Sequence, residues 1–185
     1  MQVGKLENRR NMKKLLYAVI LPLAAVLLCS CEDEREIDVT PKVYMPQSTW
    51  GQTYVINGAA SKDNKNYEID KANNKVNIFL GVYQSGVGEL GGFSVDISAG
   101  GVPVDGTMLL PGNVYDMPSK ISVAEGKREN YFWLEVDLHF LLKNRSTDYS
   151  LPVTISNLTK WQFNDKYTTT KVHIKTSELL SKEGL

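Results

Sequence analysis

Cysteine is almost missing from this 185-residue chain: Cys29 and Cys31, separated by one serine, are the two it has. Outside that short stretch neither a disulfide framework nor a cysteine metal centre can be built. Histidine is as scarce, with two residues, and no Gly-x-Ser-x-Gly elbow occurs, which removes the usual parts of a nucleophile and its base. Helical periodicity is nearly absent beyond residue 42, and there is no internal repeat or low-complexity tract. Basic excess is missing too, since 21 Lys and Arg face 21 Asp and Glu. A nucleic-acid binder needs a basic patch to replace phosphate counterions.

What the chain does have begins with an apolar run, Leu15 to Leu28, whose 14 uncharged residues fall short of the roughly 20 that span a bilayer as a helix. Arg9, Arg10, Lys13 and Lys14 precede the run and small residues follow it, the order of a secretory signal. Residues 1–30 are therefore expected to leave, and Met12 opens a more ordinary signal within them, an alternative start. Removing their five basic residues of 21 and one acid of 21 leaves 16 against 20, a net charge of −4.

Leu28-Cys29-Ser30-Cys31 resembles a bacterial lipobox, with a Leu three positions before the Cys and a small residue just before it. The resemblance implies that Cys31 is acylated and becomes the first mature residue, with enough acyl chains for stable anchoring. Cys29 leaves with the signal, so no thiol pair remains and no metal or cofactor is expected. Glu32, Asp33, Glu34, Glu36 and Asp38 follow, closed by Pro41, so residues 31–41 read as an extended, self-repelling tether. Ten such residues reach up to about 33 Å. An acidic stretch behind the lipidated cysteine also resembles the surface-export signal of Bacteroidetes lipoproteins, which implies the outer face of the outer membrane; a periplasm-facing anchor is the alternative.

From Lys42 onward 144 residues remain, enough for one domain that buries about two thirds of its surface. Short alternating runs recur between turn residues, the signature of half-buried strands. They place Val76, Ile78, Leu80 and Val82 on one face, and likewise Phe93, Val95 and Ile97, Ile121 and Val123, Leu151, Val153 and Ile155, and Val172 and Ile174. YFWLEVDLHF predicts one long strand, with Phe132, Leu134, Val136, Leu138 and Phe140 alternating with Tyr131, Trp133, Glu135, Asp137 and His139. With Val43 and Met45 as a first strand, the expectation is an all-β, immunoglobulin-like antiparallel sandwich of about seven strands over residues 42–176, followed by a tail, 177–185.

Candidate chemistry is thin. Glu135, Asp137 and His139 share one face of the expected strand, about 7 Å apart per two-residue step; two carboxylates so spaced suit acid and base work, but solvent faces of strands are commonly this polar. Asp63-Asn64-Lys65-Asn66 offers oxygen ligands without the pattern of a calcium loop. Gly86-Val87-Gly88 lacks a basic partner and a following helix. The chain is expected to be non-enzymatic. Exposed aromatic rings suit the apolar face of a sugar, with amides nearby to orient its hydroxyls. Trp50, Trp133 and Trp161 are the candidates, and Trp161, with Gln162, Asn164 and Asp165 beside it, is the first choice for a contact; the plainer alternative is that these rings close off the core.

Val43 and Tyr44, then Leu110, Pro111, Tyr115, Ile121 and Gly126, then Tyr149, Leu151, Pro152, Val153 and Ile155 form an ordered set. Together they resemble the Bacteroidetes lipoprotein family called domain of unknown function 1735, over about residues 42–176. The resemblance implies the membrane-proximal module of lipoproteins that accompany outer-membrane sugar importers, and carries over no catalytic residue. Such modules precede a glycan-binding or glycosidase domain, and the expectation here is a single domain that acts without one after KTSELLSKEGL. The expected role is an accessory glycan-binding component of polysaccharide uptake; a scaffold or adhesin-like domain without a sugar ligand is the alternative.

Overall fold

A computed structural model describes residues 40–51, 53–59 and 66–185. The signal, Cys31 and the tether up to residue 39 lie outside the described residues, as do Asp63, Asn64 and Lys65.

Twelve strands occur among the described residues: β1 (Lys42–Tyr44), β2 (Thr53–Ile56), β3 (Tyr67–Asp70), β4 (Lys75–Gln84), β5 (Phe93–Ala99), β6 (Met108–Leu109), β7 (Tyr115–Asp116), β8 (Lys120–Val123), β9 (Glu129–Asp137), β10 (Tyr149–Ser156), β11 (Gln162–Phe163) and β12 (Thr169–Ile174). Two short helices, α1 (Leu138–Lys143) and α2 (Thr176–Lys182), complete the set with two 3-10 turns, Pro46–Thr49 and Asp165–Tyr167. The first sheet runs β11-β1-β4-β9-β7, with β3 also against β4; the second runs β2-β12-β10-β5-β8, with β6 against β10.

The chain is all-β, as its period-two rows require. Strand number and pairing differ from the sequence expectation, because β1 with β11, β2 with β12 and β6 with β10 run parallel. The added strands are mostly edge pieces of two to four residues, too short for alternation to register.

Both sheets turn one apolar face onto a single core. Val76, Ile78, Leu80 and Val82 of β4 are fully buried, and in the other sheet Val95, Leu151, Val153, Val172 and Ile174 are buried with them. Each such side chain stabilises the fold by about 1.5–3 kcal/mol. Because the side-chain period is two, burying these rows turns the intervening residues of β4 and β9 outward together.

YFWLEVDLHF is not one strand. β9 stops at Asp137, whose carboxylate caps α1 by accepting from the Phe140 N–H at 3.1 Å and from Asn74 Nδ2 at 2.8 Å. Leu138 and Leu141 then bury at helical spacing, and His139 leaves the face that Glu135 and Asp137 share. Burial pushes the Asp137 carboxyl up, but these hydrogen bonds outweigh it and hold it below its ordinary value. Residues 177–185, read from the sequence as a tail, carry most of α2, whose Leu179 and Leu180 are fully buried in the core.

Candidate functional site

The two outward sheet faces differ in kind. On the second sheet the outward positions of the central strands are mostly polar and none is aromatic apart from His173, with Ser94, Asp96 and Ser98 on β5, Pro152, Thr154 and Ser156 on β10, and Thr169, Lys171 and His173 on β12, while edge strand β6 exposes Met108 and Leu109. That is the ordinary composition of a solvated sheet face. On the first sheet the same positions carry aromatic rings.

Register builds this aromatic face. Antiparallel pairing of β4 with β9 sets Phe79 opposite Trp133, Gly81 opposite Tyr131 and Tyr83 opposite Glu129, while β1 sets Tyr44 opposite Tyr83. The Phe79 and Tyr131 rings stack with centroids 4.5 Å apart, and Trp133 meets Phe79 edge-on at 5.4 Å. Tyr44 lies 5.5 Å from Tyr83 and 6.3 Å from Tyr167. Six rings from three strands and one turn thus occupy one outer face. From Phe79 to Tyr83 the row extends four strand steps, about 14 Å, the scale of a few sugar rings.

Three local devices hold it. Gly81 leaves room for the Tyr131 ring, for a Cβ there would lie 2.5 Å from Tyr131 Cδ1. The β4 edge is paired by β3 through Ile78 and by β1 from Tyr83, and the gap is filled by buried Gln47, whose Oε1 accepts the Gly81 N–H at 3.3 Å. Tyr167 is brought to Tyr44 because its carbonyl accepts from the Met45 N–H at 2.9 Å and from Ser48 Oγ at 3.1 Å.

Tyr131 and Trp133 are the most open of the rings, 41% and 38% exposed. Partial burial, then the neighbouring Glu129 carboxylate, pushes the Tyr131 phenol up to about 12. Burial and Tyr83 raise Tyr44. Both phenols are therefore neutral near pH 7. Such a surface offers flat apolar faces edged by hydroxyls and carboxylates, which suits a ligand with both apolar faces and polar rims.

Of the residues singled out from sequence, Trp133 stands on this face, beside Phe79 at one end of the row. Gln162 pairs with Lys42 on β1, two residues from Tyr44, so it is exposed at the face's edge. Asn164 follows β11, its N–H donating to the Val43 carbonyl at 2.9 Å. Trp161 is half-buried against the core, with a left-handed φ of 76° and Lys160 Nζ 4.6 Å from its ring centroid. Trp50 is exposed beyond the first 3-10 turn, against Tyr54 at 5.9 Å. The ring contacts among the described residues do not join the three tryptophans to one another. Glu135 pairs with Lys75 at 3.7 Å, Asp137 is committed to its cap, and among the described residues no three His, Cys, Asp or Glu side chains converge as metal ligands would.

Sequence reasoning missed Tyr44, Phe79, Tyr83, Tyr131 and Tyr167 as a group. The signal was present in β4 and β9, where the positions between aliphatic residues are aromatic instead of polar.

The chain is thus a two-sheet β protein with one aromatic outer face. No protein-family profile matches it, and no curated protein does. Solved structures from Bacteroides ovatus resemble parts of it. A protein of unknown function does so with a TM-score of 0.42 at 18% identity, over 54% of this chain and 36% of its own. A candidate carbohydrate-binding protein reaches 0.47 at 14% identity, over 72% and 36%. A multidomain protein that includes domain of unknown function 1735 reaches 0.35 at 16% identity, over 59% and 36%. That domain is the family whose motifs the sequence resembles. This chain matches about a third of the length of each, and likeness at this level assigns no function.

Proposed function

We propose that this protein is a non-catalytic lipoprotein, anchored through Cys31 to the outer membrane and facing the cell surface, that binds polysaccharide as an accessory of a glycan uptake system. The aromatic face of the first sheet carries the binding reading. An ordinary sheet face resembles that of the second sheet, and six clustered rings on the opposite one cost solubility without adding to the core, which is the pattern of an interaction surface. Sugar rings stack on such faces while their hydroxyls reach the polar groups beside them. The lipobox-like LCSC and the acidic stretch after it support the anchoring part of the reading.

The test is calorimetric titration of the full chain, in detergent, with plant, fungal and host polysaccharides, beside a Tyr131→Ala/Trp133→Ala variant. Losing both rings removes aromatic contacts of roughly 0.5–1.5 kcal/mol each, so binding falls about tenfold or more. A folded sample silent across the panel sinks the glycan reading. The second reading, a scaffold or docking domain with no sugar ligand, has its support in Val102, Met108 and Leu109, apolar side chains exposed between β5 and β7.

A further inference from the structure

We infer that the aromatic face takes uncharged polysaccharide and discriminates against chains that carry uronate or sulfate groups. This rests on the glycan-binding reading and names its ligand class. Four carboxylates border the rings, Glu129 at one end and Glu68, Glu135 and Asp116 at the other, against two cations on the same strand face, Lys42 and Lys75. Glu129 lies two residues from Tyr131 on the same strand face, and its carboxylate, after burial, helps to push the Tyr131 phenol up. Beyond Phe79 and Trp133, one row crosses four strands: Glu68 opposite Asn77, Asn77 opposite Glu135, Glu135 opposite Asp116. Two acids directly opposite, as Glu135 and Asp116 are, work against sheet pairing. Lys75 offsets Glu135 in part, at 3.7 Å.

A carboxylate is an acceptor alone, and charge-assisted bonds from hydroxyl donors to it are stronger than neutral ones. Sugar hydroxyls supply such donors on every ring. A chain lying along the rings passes Glu129 near one end and the Glu68, Glu135 and Asp116 row near the other. A uronate on that chain meets like charge within the screening distance of about 8 Å at physiological salt.

The experiment titrates the full chain with matched neutral hexasaccharides of glucose, mannose, xylose and galactose, and with hexamers of galacturonate and mannuronate, at low and high salt. The same titrations use a Glu129→Gln/Glu135→Gln variant, with its melting temperature as the folding control. The expected result is binding of at least one neutral chain, largely independent of salt, with uronate hexamers weaker by about tenfold at low salt. That gap narrows at high salt and in the double variant. Uronate binding equal to or tighter than neutral binding overturns the inference while leaving the glycan reading standing. Binding of neither set, by a folded sample, overturns both.

Discussion

Gly81→Ala separates the aromatic face from the stability of the fold. Gly81 has no left-handed φ, so its backbone accepts alanine. Its N–H bond to Gln47 survives the change, and the unfolded chain loses freedom, a gain of about 0.4–1 kcal/mol. Against this, the new Cβ would stand 2.5 Å from Cδ1 and 2.8 Å from Cε1 of Tyr131. Carbon atoms sit comfortably at about 3.5–4.0 Å, so the ring must move by about 1 Å or more. Tyr131 is at the surface and can swing away, losing its stack on Phe79, roughly 0.5–1.5 kcal/mol. The two effects nearly cancel, and stability should change by less than about 1 kcal/mol while the face loses its central ring. Urea denaturation reads the first quantity. Ring-current shifts of the Phe79 protons and glycan titration read the second. Gly112→Ala is the control, since no heavy atom lies within 4 Å of its would-be Cβ. Destabilisation of Gly81→Ala by several kcal/mol, or unaltered Phe79 shifts, would refute the reasoning.

Asp137→Ala removes the cap of α1 and should cost about 1 kcal/mol. Because the folded pKa of Asp137 lies below its unfolded value near 3.9, the carboxylate's contribution is present above that range and disappears as pH falls through the folded pKa. Urea denaturation of both proteins should therefore show a gap at pH 7 that closes below about pH 4, and a constant gap would count against an ionic cap. Leu180→Ala, in the fully buried part of α2, should lose about 2–5 kcal/mol in the same assay; a change near zero would mean the helix is not part of the cooperative core. Cys31→Ala should abolish incorporation of labelled palmitate and move the protein out of the membrane fraction of expressing cells, and a variant that still takes up label refutes that assignment.

The alternating rows of β4, β5, β8, β10 and β12 were legible in the sequence because alternation is local: each strand writes its own buried face within a few residues. The same holds for the signal-like start and LCSC, which are read from adjacent residues. Where β9 ends was not legible, because Asp137 is held by Asn74, distant in sequence, and nothing in YFWLEVDLHF itself distinguishes a strand from a strand followed by a helix. The functional face was hidden for a related reason. Trp133 could be placed opposite the aliphatic row, but its neighbour Phe79 belongs to a strand some fifty residues earlier, and Tyr44 and Tyr167 lie further apart still. Local sequence determined that these rings point away from the core. Only the register of β4 against β9 and β1, set by the long-range pairing of the first sheet, decided that they point away together.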